Sequence, residues 1–142
     1  MKLRELMTNP VITVAPEESV AVAARLLARY NIGSMPVCDR NGKLWGMVTD
    51  RDLVTRCMAS GGTGDMRVRD VMSGNPVTAE PDMEVGLAAG LMGRKQIRRL
   101  PVVEKGRLCG VISLADLANC NESIYHAGDA LSDISSNVSV RD

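Results

Sequence analysis

The sequence predicts an α/β (α+β) fold in which two β-α-β-β-α repeats pack as one pseudo-two-fold module. The first observation is a repeated motif, because "GMVTDRDL" from Gly46 returns as "GVISLADL" from Gly110. The second is the register, since a shift of 65 residues lays Met7 on Met72 and the shift becomes 64 after Asn41, which has no partner. The third is the length of 142 residues, which suits one domain. Two copies are too few for a solenoid, so we expect them to close on each other.

The repeat also predicts how the chain is divided. We expect repeat 1 over residues 1–60, a linker over 61–67, repeat 2 over 68–120 and a C-terminal tail over 121–142. The tail is rich in Ser, Asp and Asn, and Ile124, Leu131 and Ile134 are spaced to line one side of a short helix.

Each repeat carries the same series of local signals. "PEESVAVAARLLARY" and "PDMEVGLAAGLMGRK" open with a proline and early carboxylates before an apolar stretch, which predicts a helix. Two short apolar runs follow, "MPVC" with "LWGMVT" and "LPVV" with "LCGVIS", and the turn residues between them predict a hairpin. The hydroxyl after the hairpin, Thr49 or Ser113, is placed to cap a second helix.

This strand-to-helix corner is the candidate site. A helix start offers unpaired backbone N–H groups and a partial positive charge, which favour an anion or an oxygen-rich ligand. One turn along the helix, Asp52 or Asp116 can accept two hydrogen bonds from a vicinal diol such as ribose. Gly46 and Gly110 permit a close approach of backbone or ligand. The alternative is that the hydroxyls are only helix caps and that each Asp only favours the first helical turn.

Composition excludes several classes of function. Lys plus Arg and Asp plus Glu are both 17, so no net field recruits nucleic acid or an anionic membrane. The single histidine, His126, and four cysteines without a C-x-x-C pair build neither a metal site nor a Cys/His nucleophile, so we expect no enzyme. No apolar run approaches the ~18 residues of a membrane span, and no signal peptide is visible, which predicts a cytoplasmic protein.

With these motifs, residues 1 to 119 resemble a tandem pair of cystathionine-β-synthase (CBS) domains, the Bateman module. In that family the glycine, two apolar residues, Thr or Ser, two variable residues and Asp form the adenosine-nucleotide signature, which "GMVTDRD" and "GVISLAD" both satisfy. "IGSMPV", "QIRRLPV" and the tail "NESIYHAGDALSDIS" make the chain similar to small stand-alone bacterial two-CBS proteins, including the hypoxic-response type.

The resemblance implies two nucleotide clefts, each drawing on both repeats, in which apolar residues hold the adenine face and polar residues its edges. The implied cleft A consists of Ala15, Val20, Ile32, Gly33, Ser34, Arg98, Val111, Ser113 and Asp116. The implied cleft B consists of Met47, Thr49, Arg51, Asp52, Glu80, Val85, Ile97, Arg98 and Arg99.

The clefts are expected to be unequal. Arg98 and Arg99 stand where the first repeat has Gly33 and Ser34, and Arg51 adds a cation only to cleft B. Arginine suits phosphate because its guanidinium is a planar donor fork. Cations also favour AMP, ADP or ATP over S-adenosylmethionine, whose sulfonium would meet like charge. Cyclic dinucleotides such as cyclic di-AMP and guanosine tetraphosphate stay open, and no cofactor is required.

The segment "VGLAAGLM", Val85 to Met92, predicts a homodimer. It carries no charge on any face, and Gly86 and Gly90 permit close approach of a partner helix, as in resembling modules. The alternative is a helix buried inside one monomer. Together these features predict a non-catalytic regulatory module that acts through a separate effector protein, with no membrane or nucleic-acid partner. A dimeric scaffold without ligand is the other open function.

Overall fold

The computed structural model describes residues 1–120 and Ile134, so the predicted tail helix, apart from a buried, helical Ile134, lies outside the described residues. Within that part of the chain, no helix is both long and apolar enough to cross a membrane. The elements in chain order are a 3₁₀ helix Leu3–Glu5, α1 Val20–Tyr30, β1 Ser34–Cys38, β2 Leu44–Thr49, α2 Asp50–Asp52, a π-helix Leu53–Met58, α3 Val68–Val71, β3 Ser73–Gly74, α4 Val85–Lys95, β4 Arg99–Glu104, β5 Arg107–Ser113 and α5 Leu114–Ala118.

The predicted mixed α/β composition is confirmed, and local signals set most of the element ends. Ser19 caps α1, because its Oγ accepts the N–H of Val22 at 3.2 Å. Helices α1 and α4 each end at a left-handed residue, Asn31 with φ 52° and Gln96 with φ 58°. β1 pairs antiparallel with β2, and β3 joins the other edge of β2. β4 and β5 form a second, two-stranded sheet.

The strand predicted to open each repeat is reduced to one bridging residue. Val14 forms a parallel bridge with Val37, and Ala79 forms the matching bridge with Val102. A proline follows two residues later in both copies, Pro16 and Pro81 in the same register. Proline has no N–H to donate, so the ladder stops there.

The first hairpin is held by one half-buried residue, Asp39, through its carboxylate. Its Oδ1 accepts the N–H groups of Asn41 at 2.9 Å and Lys43 at 3.1 Å, and its Oδ2 accepts the indole N–H of Trp45 at 3.1 Å. The Trp45 bond, followed by these backbone bonds, holds the pKa of Asp39 below its ordinary value. The turn that contains the unmatched Asn41 is therefore ordered by its own side chains.

The chain divides into two compact units whose bounds cut across the sequence repeat. Among the described residues, one unit contains residues 1–11, 77–105 and 109–120, and the other contains residues 12–76 and 106–108. Each unit has its own apolar core, one around Met92 and Leu100 and the other around Met35 and Val48. Residues 1–11, the lead-in of repeat 1, thus belong with most of repeat 2, and residues 68–76, the lead-in of repeat 2, belong with repeat 1.

The exchanged lead-in segments are fixed by matching backbone hydrogen bonds. The N–H of Leu3 donates to the carbonyl of Met83 at 3.0 Å, and that of Val68 donates to the carbonyl of Glu18 at 2.8 Å. Leu3 and Val68 are both fully buried and are aligned by the 65-residue shift. The two units therefore use the same contact, made in each case by the lead-in of the other repeat.

Gly46, which begins the repeated motif, lies at the point where the second lead-in meets the sheet. It pairs with Gly74 of β3, and a Cβ at Gly46 would overlap the carbonyl oxygen of Ser73. A Cβ on Gly74 would meet no atom within 4 Å. Only one glycine of this pair is therefore required by packing.

We expect Gly46→Ala to destabilise the protein by about 2 kcal/mol, since the new methyl group forces β3 away from β2. For a chain of this length that change lowers Tm by roughly 4 to 8 °C in a thermal melt followed by circular dichroism. Gly74→Ala is the matched control and should shift the unfolding free energy by no more than about 0.5 kcal/mol. Equal melting of the two variants would contradict the close approach.

Candidate functional site

The first corner joins β2 to α2 through a pair of reciprocal hydrogen bonds. Thr49 Oγ1 accepts the N–H of Asp52 at 3.0 Å, and Asp52 Oδ2 accepts the N–H of Thr49 at 3.0 Å. This is a capping box with aspartate in the place of the usual glutamate or glutamine. It fixes both side chains at the helix start.

The second corner, between β5 and α5, repeats this arrangement. Ser113 Oγ accepts the N–H of Asp116 at 3.1 Å, and Asp116 Oδ2 accepts the N–H of Ser113 at 2.8 Å. The capping role that the sequence left as an alternative is therefore present at both corners. A role in ligand binding must use the hydrogen-bonding capacity that capping leaves over.

The helix starts have fewer unpaired N–H groups than the sequence analysis assumed. The N–H of Asp50 donates to the carbonyl of Gly33 at 3.0 Å, and that of Leu114 donates to the carbonyl of Arg98 at 3.1 Å. The N–H of Arg51 donates to Asp50 Oδ1 at 2.8 Å. With the capping boxes, these bonds use every N–H of the first helical turn at the first corner. The carbonyls of Gly33 and Arg98 come from the chain segment before each hairpin. Local sequence patterns do not reveal that these carbonyls face the helix starts.

The hydroxyl and carboxyl groups keep capacity for a ligand. A hydroxyl that accepts one N–H still has its own hydrogen to donate, so Thr49 and Ser113 remain donors. A carboxylate has about four acceptor positions, and the cap uses one of them. The second oxygen, Oδ1, decides what each aspartate can still accept.

The two aspartates differ at this second oxygen. Asp52 Oδ1 accepts a hydrogen bond from Ser73 Oγ at 3.4 Å and lies 3.7 Å from Nε of Arg56. The side chain of Asp52 is only 10% exposed. Asp116 is half-buried, and its Oδ1 has no hydrogen-bond or ion-pair partner among the described residues. The second corner therefore presents an open carboxylate oxygen, whereas the first does not.

A family model for the CBS domain matches residues 3–59 and 68–122 of this chain. The chain belongs to the CBS domain family. It is 41% identical over 133 residues to the CBS domain-containing protein YhcV of Bacillus subtilis, covering 94% of both chains. It is 28% identical over 116 residues to hypoxic response protein 1 of Mycobacterium tuberculosis, covering 81% of both. The resemblance seen in the sequence is thereby confirmed.

Solved CBS structures share the fold. The crystal structure of CBSX2 in complex with AMP has a TM-score of 0.77 at 28% identity, covering 87% of this chain and 98% of CBSX2. The CBS domain pair of MJ0100, in complex with 5'-methylthioadenosine and S-adenosyl-L-methionine, has a TM-score of 0.73 at 28% identity, covering 83% of this chain and 93% of that one.

The predicted site residues of the CBS repeats fall into both compact units. The unit with residues 12–76 holds Ala15, Val20, Ile32, Gly33, Ser34, Met47, Thr49, Arg51 and Asp52. The other unit holds Glu80, Val85, Ile97, Arg98, Arg99, Val111, Ser113 and Asp116. Backbone hydrogen bonds bring Gly33 to the first corner and Arg98 to the second, each within its own unit. The assignment of residues to a cleft from the opposite repeat stays a prediction.

The cations expected to meet phosphate are not engaged elsewhere in the described residues. Arg51 and Arg98 are exposed and Arg99 is half-buried, and none of the three forms an ion pair with a described residue. Their guanidinium groups therefore remain available to an anion.

In the described part of the chain, the side chains that could ligate a metal form no cluster of three, and the Cys38 thiol is buried. No group of three or more His, Cys, Asp or Glu side chains there could hold a metal ion, and His126 lies outside it. Burial, together with the nearby Asp39 charge, raises the pKa of the Cys38 thiol to about 11, so Cys38 stays protonated near neutral pH.

Sequence reasoning missed Ser73 and Arg56, which contact Asp52 at the first corner. Arg56 is four residues after Asp52 on the same helical segment, a spacing at which side chains meet, so this contact had a local signal. Ser73 is 21 residues from Asp52 and arrives through β3, so only the exchanged lead-in reveals it.

The capping boxes should contribute measurably to stability. Ser113→Ala and Thr49→Ala each remove the oxygen that accepts the aspartate N–H, and we expect each to cost about 1 kcal/mol of unfolding free energy. Ser113→Thr and Thr49→Ser are the matched controls, because each keeps a hydroxyl in place. Urea unfolding measures the difference, and alanine variants as stable as these controls would contradict the capping role.

Proposed function

We propose that this protein is an adenine-nucleotide-binding regulatory module in which AMP, ADP or ATP binds at the two strand-to-helix corners. The observation that carries the proposal is the second corner, where Asp116 presents an open carboxylate oxygen beside the Ser113 hydroxyl. A ribose diol needs an acceptor for its hydroxyl hydrogens and is well served by such a carboxylate. The AMP complex of CBSX2, with the same fold, supports adenosine as the ligand.

The charge around the corners supports a phosphorylated ligand. Arg98 lies beside the second corner through its carbonyl, which accepts the N–H of Leu114, and its exposed side chain has no ion-pair partner among the described residues. Arg51 occupies the helix start of the first corner. An arginine in either place attracts a phosphate, whereas it repels the positively charged sulfonium of S-adenosylmethionine. The other residues assigned to clefts A and B are part of this proposal.

The module acts in the cytoplasm and passes its signal to a separate effector protein rather than catalysing a reaction. Such a signal requires an equilibrium between two ways in which the subunits or the effector pack. A ligand shifts that equilibrium only if it binds the two packing states with unequal affinity. Turnover of ATP by the purified protein would contradict the absence of catalysis.

Two other functions are favoured by specific observations. The MJ0100 complex makes S-adenosylmethionine the competing ligand. The capping boxes explain Thr49, Asp52, Ser113 and Asp116 without any ligand, which favours a dimeric scaffold. The test must therefore separate binding from capping.

Aspartate-to-asparagine variants make that separation. The amide oxygen of asparagine can still accept the cap N–H, whereas the negative charge and the second acceptor oxygen are lost. In calorimetric titrations with AMP, ATP and S-adenosylmethionine, we expect two binding events in wild type, with Asp52→Asn and Asp116→Asn each weakening one. Hydrogen bonds to charged groups contribute about 1.5 to 3 kcal/mol, so each affected site should bind about 10- to 100-fold more weakly.

Alanine variants at the same positions would remove the cap hydrogen bond together with the acceptor for the ligand, so they would not separate capping from binding. The melting temperature of each asparagine variant shows whether its fold is retained. If the wild-type protein gives a binding heat only with S-adenosylmethionine, that compound replaces the adenine nucleotides as the proposed ligand. No heat with any of the three ligands, from folded wild-type protein, would leave the scaffold function.

We also propose that the protein is a homodimer that pairs through the exposed face of α4. The opposite face of α4 packs into the core of its unit through Val85, Ala88, Ala89 and Met92. Leu87 remains 67% exposed, and Gly86, Gly90 and Leu91 beside it are only partly covered. A large apolar side chain flanked by glycines suits the close approach of a second helix.

Light scattering tests this interface. Wild type should show twice the chain mass of 15.2 kDa, and Leu87→Glu should show the mass of one chain because it buries an unpaired charge. Met58→Glu changes an equally exposed apolar residue in the other unit and should leave the dimer intact. A wild-type mass of one chain at micromolar concentration, or loss of the dimer in both variants, would contradict pairing through α4.

A further inference from the structure

The two corners share a backbone arrangement, but their aspartates have different surroundings. The contacts to Asp52 Oδ1 come from Ser73 at 3.4 Å and from Arg56 at 3.7 Å, all within one compact unit. Both contacts are long, so each is individually weak. Together they cover the one carboxylate oxygen that the capping box leaves over.

Arg56 is itself held in this position. Its Nη1 donates to the carbonyl of Met72 at 3.0 Å. Met72 is the residue before Ser73. Arg56 therefore bridges the carboxylate of Asp52 and the backbone that delivers the Ser73 hydroxyl. A ligand hydroxyl that approaches Asp52 Oδ1 therefore competes with both groups.

The second corner provides an internal comparison. The repeat register aligns Thr8 with Ser73 and Cys120 with Arg56. Thr8 bridges to Val111 through its backbone, but it is exposed and its hydroxyl makes no hydrogen bond to a described residue. No cation stands at position 120, since its residue is cysteine. The same fold thus presents one covered and one open aspartate.

We propose that Ser73 and Arg56 form a lock on the first corner and set its affinity for a ribose diol below that of the second corner. The proposal rests on the proposed function, because it concerns the same ligand. Ser73 and Arg56 are positioning residues, which act by occupying Asp52. The protein then fills its corners in order, the second at low nucleotide concentration and the first only at higher concentration.

The test uses AMP and, as a probe without phosphate, adenosine, titrated calorimetrically into the full chain. Asp116→Asn weakens the second corner, so that the first corner accounts for more of the measured binding, and Ser73→Ala is added in that background. We expect Ser73→Ala to tighten binding at the first corner about threefold to tenfold, because the ligand no longer competes with an existing hydrogen bond. The control is Thr8→Ala in an Asp52→Asn background, which should leave the affinity of the second corner unchanged.

Arg56→Met tests the cation with the packing of its aliphatic stem retained. Adenosine should bind the first corner more tightly in this variant, and comparison with AMP reveals any loss of attraction for the phosphate. Melting temperatures of all variants establish that β3 and the corner stay folded.

The outcomes separate the lock from the proposed function. Two unequal sites in wild type, with the weaker site removed by Asp52→Asn and tightened by Ser73→Ala, support the lock. If Ser73→Ala leaves the affinity of the first corner unchanged or weakens it, the lock is overturned but the proposed function is not. The same holds if the first corner is the tighter site in the wild-type protein. No binding of AMP or adenosine to folded wild type overturns both proposals.

Discussion

The reciprocal hydrogen bonds between a hydroxyl residue and an aspartate at each corner are the constraint on which the site depends. They end one strand, start one helix and fix the carboxylate, all with two bonds of 2.8 to 3.1 Å. They also use one of the roughly four acceptor positions of each aspartate, on Oδ2. Structural and binding roles are therefore not exclusive explanations of the same residues, because the cap orients the carboxylate and the remaining oxygen is what a ligand can use.

The other two residues shared by the repeated motifs have separate reasons to be there. Gly46 admits the backbone of Ser73, and at Gly110 a Cβ would lie 2.6 Å from the sulfur of Met7. In both cases the neighbour belongs to the lead-in of the other repeat. Leu53 and Leu117 are buried. The close approach at the glycines is thus made by the protein itself, and the motif is at once a packing site for the exchanged segment and a candidate binding corner.

Much of the fold follows from local sequence, because helix caps and hairpin turns act over a few residues. Thr49 and Ser113 both cap helices, as their sequence context predicts, and Ser19 caps α1 in the same way. The exchange of the lead-in segments could not be predicted in the same way. Both copies carry the same pattern, so each lead-in fits its own repeat and the other equally well at the level of sequence. The sequence pattern alone therefore does not decide between the two partners.

The same limit applies to the site. The candidate hydroxyls and aspartates were found from spacing, but their hydrogen-bond capacity depends on groups that arrive from elsewhere, such as the carbonyls of Gly33 and Arg98. The supply of free N–H groups was therefore overestimated, since a pattern shows which groups begin a helix and not which acceptors face them. Burial of Asp52 likewise depends on Ser73, which is 21 residues away.

The corners differ in a second respect besides the one that the sequence suggested. Charge patterning placed the asymmetry at Arg98 and Arg99, where it would change attraction for phosphate. The structure adds an asymmetry at the aspartates, where Ser73 and Arg56 contact Asp52 Oδ1 and no described residue pairs with Asp116 Oδ1. The backbone keeps its two-fold pattern because caps and lead-in contacts are matched in both units. A few side chains at matched positions, Arg56 against Cys120 and Ser73 against Thr8, are enough to give two similar corners different capacities.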